Sequence, residues 1–209
     1  TLNHALYKAE NSESGLLAQF RERRSRLSNS EFTVSRDRVL LREPGLFESD
    51  PGAVMRLLQF VARHNVRLAR DTETRLGKAL ALFQGQAAPA WRTWKELLAM
   101  QGCASAFRAL HEAGLLTALI PEWERIDALV ARDFYHRYTV DEHTLVALEN
   151  LGALAKAAED PLRQRFSALL NEARDAALLR LAILLHDIGK GGGTGEHARE
   201  SVEVAARVL

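Results

Sequence analysis

The chain has little of what would place it outside a globular, intracellular class. One cysteine, Cys103, stands in 209 residues, which excludes an internal disulfide and a cysteine-built zinc site and fits a reducing compartment. Cys103 itself reads as a packed side chain. Neither sign of charge is in excess, with 28 Lys and Arg against 27 Asp and Glu, so a nucleic-acid partner is not expected. There is no signal peptide and no apolar run long enough to cross a bilayer, and the expectation is a soluble, cytoplasmic protein without a membrane partner. Repeats and low-complexity tracts are absent, and β character is confined to one short stretch. What is present is 47% hydrophobic and 26% charged residues, enough for one large domain or two small ones with real cores. The chain opens on Thr1 and stops at Leu209 inside SVEVAARVL, a helical pattern without a stop signal, which reads as a piece of a longer protein.

Taken in order, Leu2 to Leu27 reads as a helix that turns basic at Arg21, Arg23, Arg24 and Arg26, a solvated face or an interdomain strut. FTVS and RVLLR around Arg36-Asp37 predict a small hairpin over 31–42. Asp50-Pro51 predicts an N-cap with proline at the first helical position, and MRLLQFVARH continues at helical spacing. A further helix is predicted from Asp71, with Leu76, Ala79, Leu80 and Phe83 on one face. Helices over Trp91 to Met100 and Ala104 to Ala113 follow, broken by Gly102 and Gly114. His64 and His111 stand alone in these helices and read as surface or satisfied core residues. Thr139 and Glu142 fit a capping box that starts a helix running toward Ala158 and puts His143 in its first turn. Asp160-Pro161 opens the next helix as Asp50-Pro51 does, with Leu162, Phe166, Leu169 and Leu170 predicted inward.

The most apolar run, AALLRLAILL from Ala176, suits a buried helix, and it leads into the densest group of possible ligands. His186 and Asp187 fall at its last turn, Gly189 offers a stop, and Gly191, Gly192 and Gly193 turn the chain into a loop. A buried carboxylate must be paired or metal-bound to offset its desolvation. A divalent ion that activates water needs a few fixed N or O ligands and an open position, and His143, His186 and Asp187 are the candidates. Adjacent residues on a regular helix point about 100° apart, so the doublet converges on one ion only if the helix end is bent or the ion sits between the faces. Lys190 either sets an ammonium against a phosphate oxygen or caps the helix C-terminus, and both readings stay open.

His143, His186-Asp187 and Gly189-Lys190 together resemble the HD superfamily of metal-dependent phosphohydrolases. The longer segments PEW at Pro121 to Trp123, DFYHRYTVDEHTL at Asp133 to Leu145 and LLHDIGKGGGTGEH at Leu184 to His197 are similar to the HD region of the bacterial PII uridylyltransferase/uridylyl-removing enzyme family. LREPGLFESDPGAVMRLLQFVARH is similar to the stretch that joins that family's transferase domain to its HD domain. The resemblance implies a mainly α fold: a helical connector over 1–120 with one hairpin near 31–42, then an HD-type helical domain over 121–209, incomplete at its C-terminus. It implies that His143, His186 and Asp187 ligate a divalent metal ion, Mg or Mn ahead of other transition metals. Asp187, Lys190, His136 and His197 would form the catalytic group; His136 lines the same cleft or orients a ligand, and His197 lies in the glycine-rich loop. The implied partner is the uridylylated PII signalling protein, from which hydrolysis of a phosphodiester releases UMP. HD sites usually close with a downstream Asp, and no such residue follows here; transferase and ACT motifs are also missing, so the fragment itself is expected to be inactive. The alternatives are another HD hydrolase, acting on a free nucleotide or cyclic dinucleotide, and a non-catalytic HD scaffold.

Overall fold

In FTVS every second residue turns to one face, and Phe32 and Val34 are accordingly buried while Ser35 is exposed. β1 (Phe32–Ser35) pairs antiparallel with β2 (Arg38–Leu41), Val34 opposite Val39. Arg36 and Asp37 have φ of 52° and 57°, the left-handed pair that a two-residue hairpin turn demands. The computed structural model describes residues 27–83, 91–130, 138–154, 160–192 and 195–209. The helix expected over Leu2 to Leu27, all but its last residue, and the candidate His136 lie outside these.

β3 (Arg67–Leu68) adds a parallel strand beside β2, which the sequence reading missed because two residues are too few to display an alternation. Between β2 and β3 run α1 (Leu46–Ser49) and α2 (Ala53–His64). The predicted cap at Asp50 is shifted: its carboxylate accepts from the Gly52 N–H at 3.0 Å, Pro51-Gly52 form a turn, and the helix proper starts at Ala53. The helix expected from Asp71 is two, α3 (Arg70–Lys78) and α4 (Leu80–Phe83), with Leu76 and Ala79 buried at the break. α5 (Trp91–Ala99) and α6 (Cys103–Glu112) follow as expected, and a short α7 (Leu115–Leu119) that the sequence reading did not call comes after Gly114. Gly102 is required by contact, since a Cβ there would run into the Ala62 carbonyl at the end of α2.

A 3₁₀ turn, Pro121–Arg125, precedes α8 (Val140–Leu154), α9 (Pro161–Glu172) and α10 (Ala176–Leu185). A second 3₁₀ turn, Ile188–Gly192, leads to α11 (His197–Val208). α6 packs on α2 and α8, and α10 packs on α5 and α8. One core therefore runs through Leu97, Phe107, Trp123, Leu145 and Leu184, joining helices before residue 121 to helices after it. Arg180, the charge that interrupts the apolar run, is buried and donates to the Leu98 and Ala99 carbonyls at 2.7 and 3.1 Å. These carbonyls close α5, where a cation is favoured. α9 departs from expectation. Leu162, Phe166 and Leu169 are 61%, 48% and 54% exposed, and no residue of α9 is buried, so its apolar stripe faces away from the core.

Candidate metal centre

Two helix ends build the site. Asp175 caps α10, accepting from the Ala177 and Leu178 N–H groups at 3.0 and 3.1 Å, and Lys95 beside it holds its carboxyl below the usual range. Leu181, Leu184 and Leu185 then seat the helix in the core. The α-helix ends at Leu185, and the chain tightens after His186-Asp187 into the Ile188–Gly192 turn. That is the bend the doublet needs in order to converge.

The glycines after it are contact residues. A Cβ on Gly189 would meet the His197 carbonyl and the Glu200 side chain, and one on Gly191 would meet Arg125. The turn is thus pressed between the Pro121–Arg125 turn and α11. The Gly189 N–H donates to Ser201 Oγ at 3.0 Å in a buried bond.

The other wall is the first turn of α8. Its Val140 N–H donates to the Leu129 carbonyl at 2.9 Å and its His143 N–H to the Thr139 carbonyl at 2.8 Å. The helix starts where predicted, but the capping box is not formed. Arg108 takes Glu142, donating to its two carboxylate oxygens at 3.0 and 3.1 Å and to Glu149 Oε1 at 2.5 Å. These carboxylates raise the guanidinium pKa further, against the effect of burial.

His143, His186 and Asp187 offer three ligand atoms within 4.8 Å of one another. Asp187 Oδ2 lies 3.2 Å from His186 Nε2, 3.9 Å from His143 Nε2 and 2.8 Å from Lys190 Nζ. His186 Nδ1 is 2.7 Å from the Ile183 carbonyl. A carbonyl only accepts, so Nδ1 carries the proton and the Nε2 lone pair of the neutral ring faces the Asp187 carboxylate. A lone pair and an anionic oxygen in contact call for a cation between them, and an imidazole whose far nitrogen donates to a carbonyl is the usual metal ligand. The donor set thus fits a divalent ion. Both histidine side chains are about two-fifths exposed, at 40% and 41%, which leaves access for water and substrate.

Lys190 places its ammonium within the cluster, donating to Asp187 Oδ2 at 2.8 Å. His197 opens α11 with an exposed side chain and is not part of the three-ligand group. His136 lies outside the described residues. A cleft of about 580 Å³ lined by Arg63, Arg67, Arg108 and Glu149 contains none of the cluster. Sequence reasoning missed a second group: His111, Asp127 and Asp141 also bring ligand atoms within 4.8 Å. The one available signal was Asp141 in the polar first turn of α8, which the capping pattern absorbed.

The HD domain matches residues 140–209. The bifunctional uridylyltransferase/uridylyl-removing enzyme of Haemophilus influenzae (strain Rd) is 33% identical over 186 residues, 85% of this chain and 21% of that protein. The one from Caulobacter vibrioides (strain NA1000 / CB15N) is 34% identical over 191 residues, 88% of this chain and 20% of the relative; that of Rhodopseudomonas palustris is 28% identical over 192 residues, 90% and 20%. A solved tRNA-processing enzyme (apo form 2) superposes with a TM-score of 0.47 at 21% identity, covering 81% of this chain and 42% of that one, too loosely to bear on function. The chain spans about a fifth of the length of the curated relatives it matches. Residues 140–209 match the HD domain, and most of the chain is similar to one stretch of the bifunctional uridylyltransferase/uridylyl-removing enzymes.

Proposed function

We propose that His143, His186 and Asp187 hold a divalent cation, Mg or Mn, in the uridylyl-removing centre of a longer bifunctional enzyme. In that enzyme residues 1–120 would be a connector and 121–209 the front of the hydrolase domain. The reaction is hydrolysis of the phosphodiester between a tyrosine of the PII protein and UMP, in the cytoplasm. The observation that carries this reading is the contact of the His186 Nε2 lone pair with Asp187 Oδ2, with His143 beside it.

When bound, the cation supplies Lewis acidity and a lowered pKa for water. The protein's own groups do the rest. The Ile183 carbonyl fixes the His186 ring and its tautomer, and Arg108 holds the α8 turn that presents His143 through Glu142. Lys190 puts one positive charge beside the cluster, suited to balance the charge of an anionic phosphodiester. His136 and His197 are assigned to the cleft by resemblance alone, as groups that orient substrate or move its proton.

The test is Asp187→Ala in the intact protein, with both activities assayed. Hydrolysis of uridylyl-PII is expected to disappear while uridylylation persists. Loss of both would make Asp187 structural, and retained hydrolysis would remove it from the centre. Turnover of free nucleotides with none of uridylyl-PII would favour a different HD hydrolase. A folded intact protein that binds no metal would favour a scaffold.

A further inference from the structure

The second donor group looks at first like another cation site. Asp141 is 5% exposed, and its Oδ1 has no hydrogen-bond partner. Its Oδ2 lies 3.3 Å from His111 Nε2, and Asp127 Oδ1 lies 4.0 Å from the same nitrogen. The other side of the ring argues otherwise. The fully buried Trp123 donates its indole N–H to His111 Nδ1 at 3.2 Å. An indole nitrogen has a hydrogen to give and no lone pair to offer, so Nδ1 must be the accepting nitrogen and the neutral ring carries its hydrogen on Nε2. That hydrogen sits on the nitrogen nearest the Asp141 carboxylate, and no Nε2 lone pair is left for a metal. His186 is the reverse case, with a carbonyl behind Nδ1 and the lone pair in front. Two histidine–carboxylate groups of similar spacing are therefore opposite in polarity.

We propose that Trp123, His111 and Asp141 form a relay of polar contacts, a hydrogen bond from Trp123 to His111 and a 3.3 Å approach of His111 to Asp141, whose task is to fix the direction of His143; all three are positioning residues. The inference rests on the reading that His143 is a metal ligand. Asp141 and His143 both stand in the first turn of α8, two residues and so about 200° apart around the axis. One faces the protein interior and the other the open cluster. The relay ties the buried side of the turn to α6 through His111 and to the Pro121–Arg125 turn through Trp123. The Asp141 charge is favoured by the positive N-terminal end of α8. The polar contact with His111 then sets the rotation of a turn whose far side carries the ligand.

The test has two parts, both on the intact protein. Long-range ¹⁵N–¹H NMR of the His111 ring is expected to report hydrogen on Nε2; hydrogen on Nδ1 would overturn the relay. Mn²⁺ affinity, followed by electron paramagnetic resonance, is expected to fall about ten- to hundredfold in His111→Phe, the usual cost of losing a group that orients a ligand. Asp141→Asn, which keeps an acceptor for the Nε2 hydrogen, should retain most of the affinity, as simple packing damage would not predict. Wild-type affinity in His111→Phe overturns the relay, and so does a second Mn²⁺ ion that this variant loses. If His111→Phe does not fold, Trp123→Phe with its loss of the Nε2 tautomer serves in its place. His143→Ala separates the two claims: unchanged Mn²⁺ binding there overturns the metal centre, whereas loss there beside normal binding in His111→Phe overturns the relay alone.

Discussion

The Cys103 thiol is buried at the start of α6, and burial pushes it up to about 11. Its ordinary value is 9.0, so between these values the unfolded chain gives up the proton and the folded chain keeps it. Stability from this group is therefore full below about pH 9 and declines as pH rises toward 11. The thiol should resist iodoacetamide at pH 8 in the native state and react at once in denaturant; rapid native labelling would contradict the burial. At Thr139 the hydroxyl takes no part in a cap, and the reciprocal bond to the Thr139 N–H is not made because the Glu142 carboxylate is committed to Arg108. Thr139→Ala should change stability by less than about 0.5 kcal/mol, and a denaturant titration giving the loss of about 1 kcal/mol typical of a cap would restore the capping box. The three ligands were legible because residue type and order carry them. Contacts such as Trp123 to His111 to Asp141 were not, since nothing in a local pattern says which distant side chains will meet.

Helices announced themselves by period, and most boundaries followed from Gly102, Gly114 and the Asp160 cap. The direction an element faces was harder to read. α9 has the stripe of a buried helix, yet Leu162, Phe166 and Leu169 are exposed, because periodicity fixes which residues share a side and leaves open what that side packs against. Leu162→Lys and Leu169→Lys should each shift stability of this chain by less than about 0.5 kcal/mol. A drop of several kcal/mol, measured by thermal melting, would mean that the stripe is covered. Glycine misled in the opposite sense. The run Gly191 to Gly193 promised a loop, whereas the lack of side chains at Gly189, Gly191 and Gly192 lets the turn press against His197, Arg125 and Glu200.

At the scale of the molecule, the expected mainly α fold with a hairpin is what the chain forms, with helices from both halves in one core. Three protein ligands make a sparse site, since charge and geometric definition both grow with each anionic donor. The chain should bind Mn²⁺ weakly or not at all; tight binding in calorimetry would mean that these three residues suffice. Ser201 adds something more. Its hydroxyl holds the buried Gly189 N–H two residues from Asp187 and on a separate helix from it. Solvent deuterium can replace that hydrogen only when α11 lifts from the turn, so the exchange rate at this single amide measures how often the last helix leaves its seat beside the His-Asp doublet.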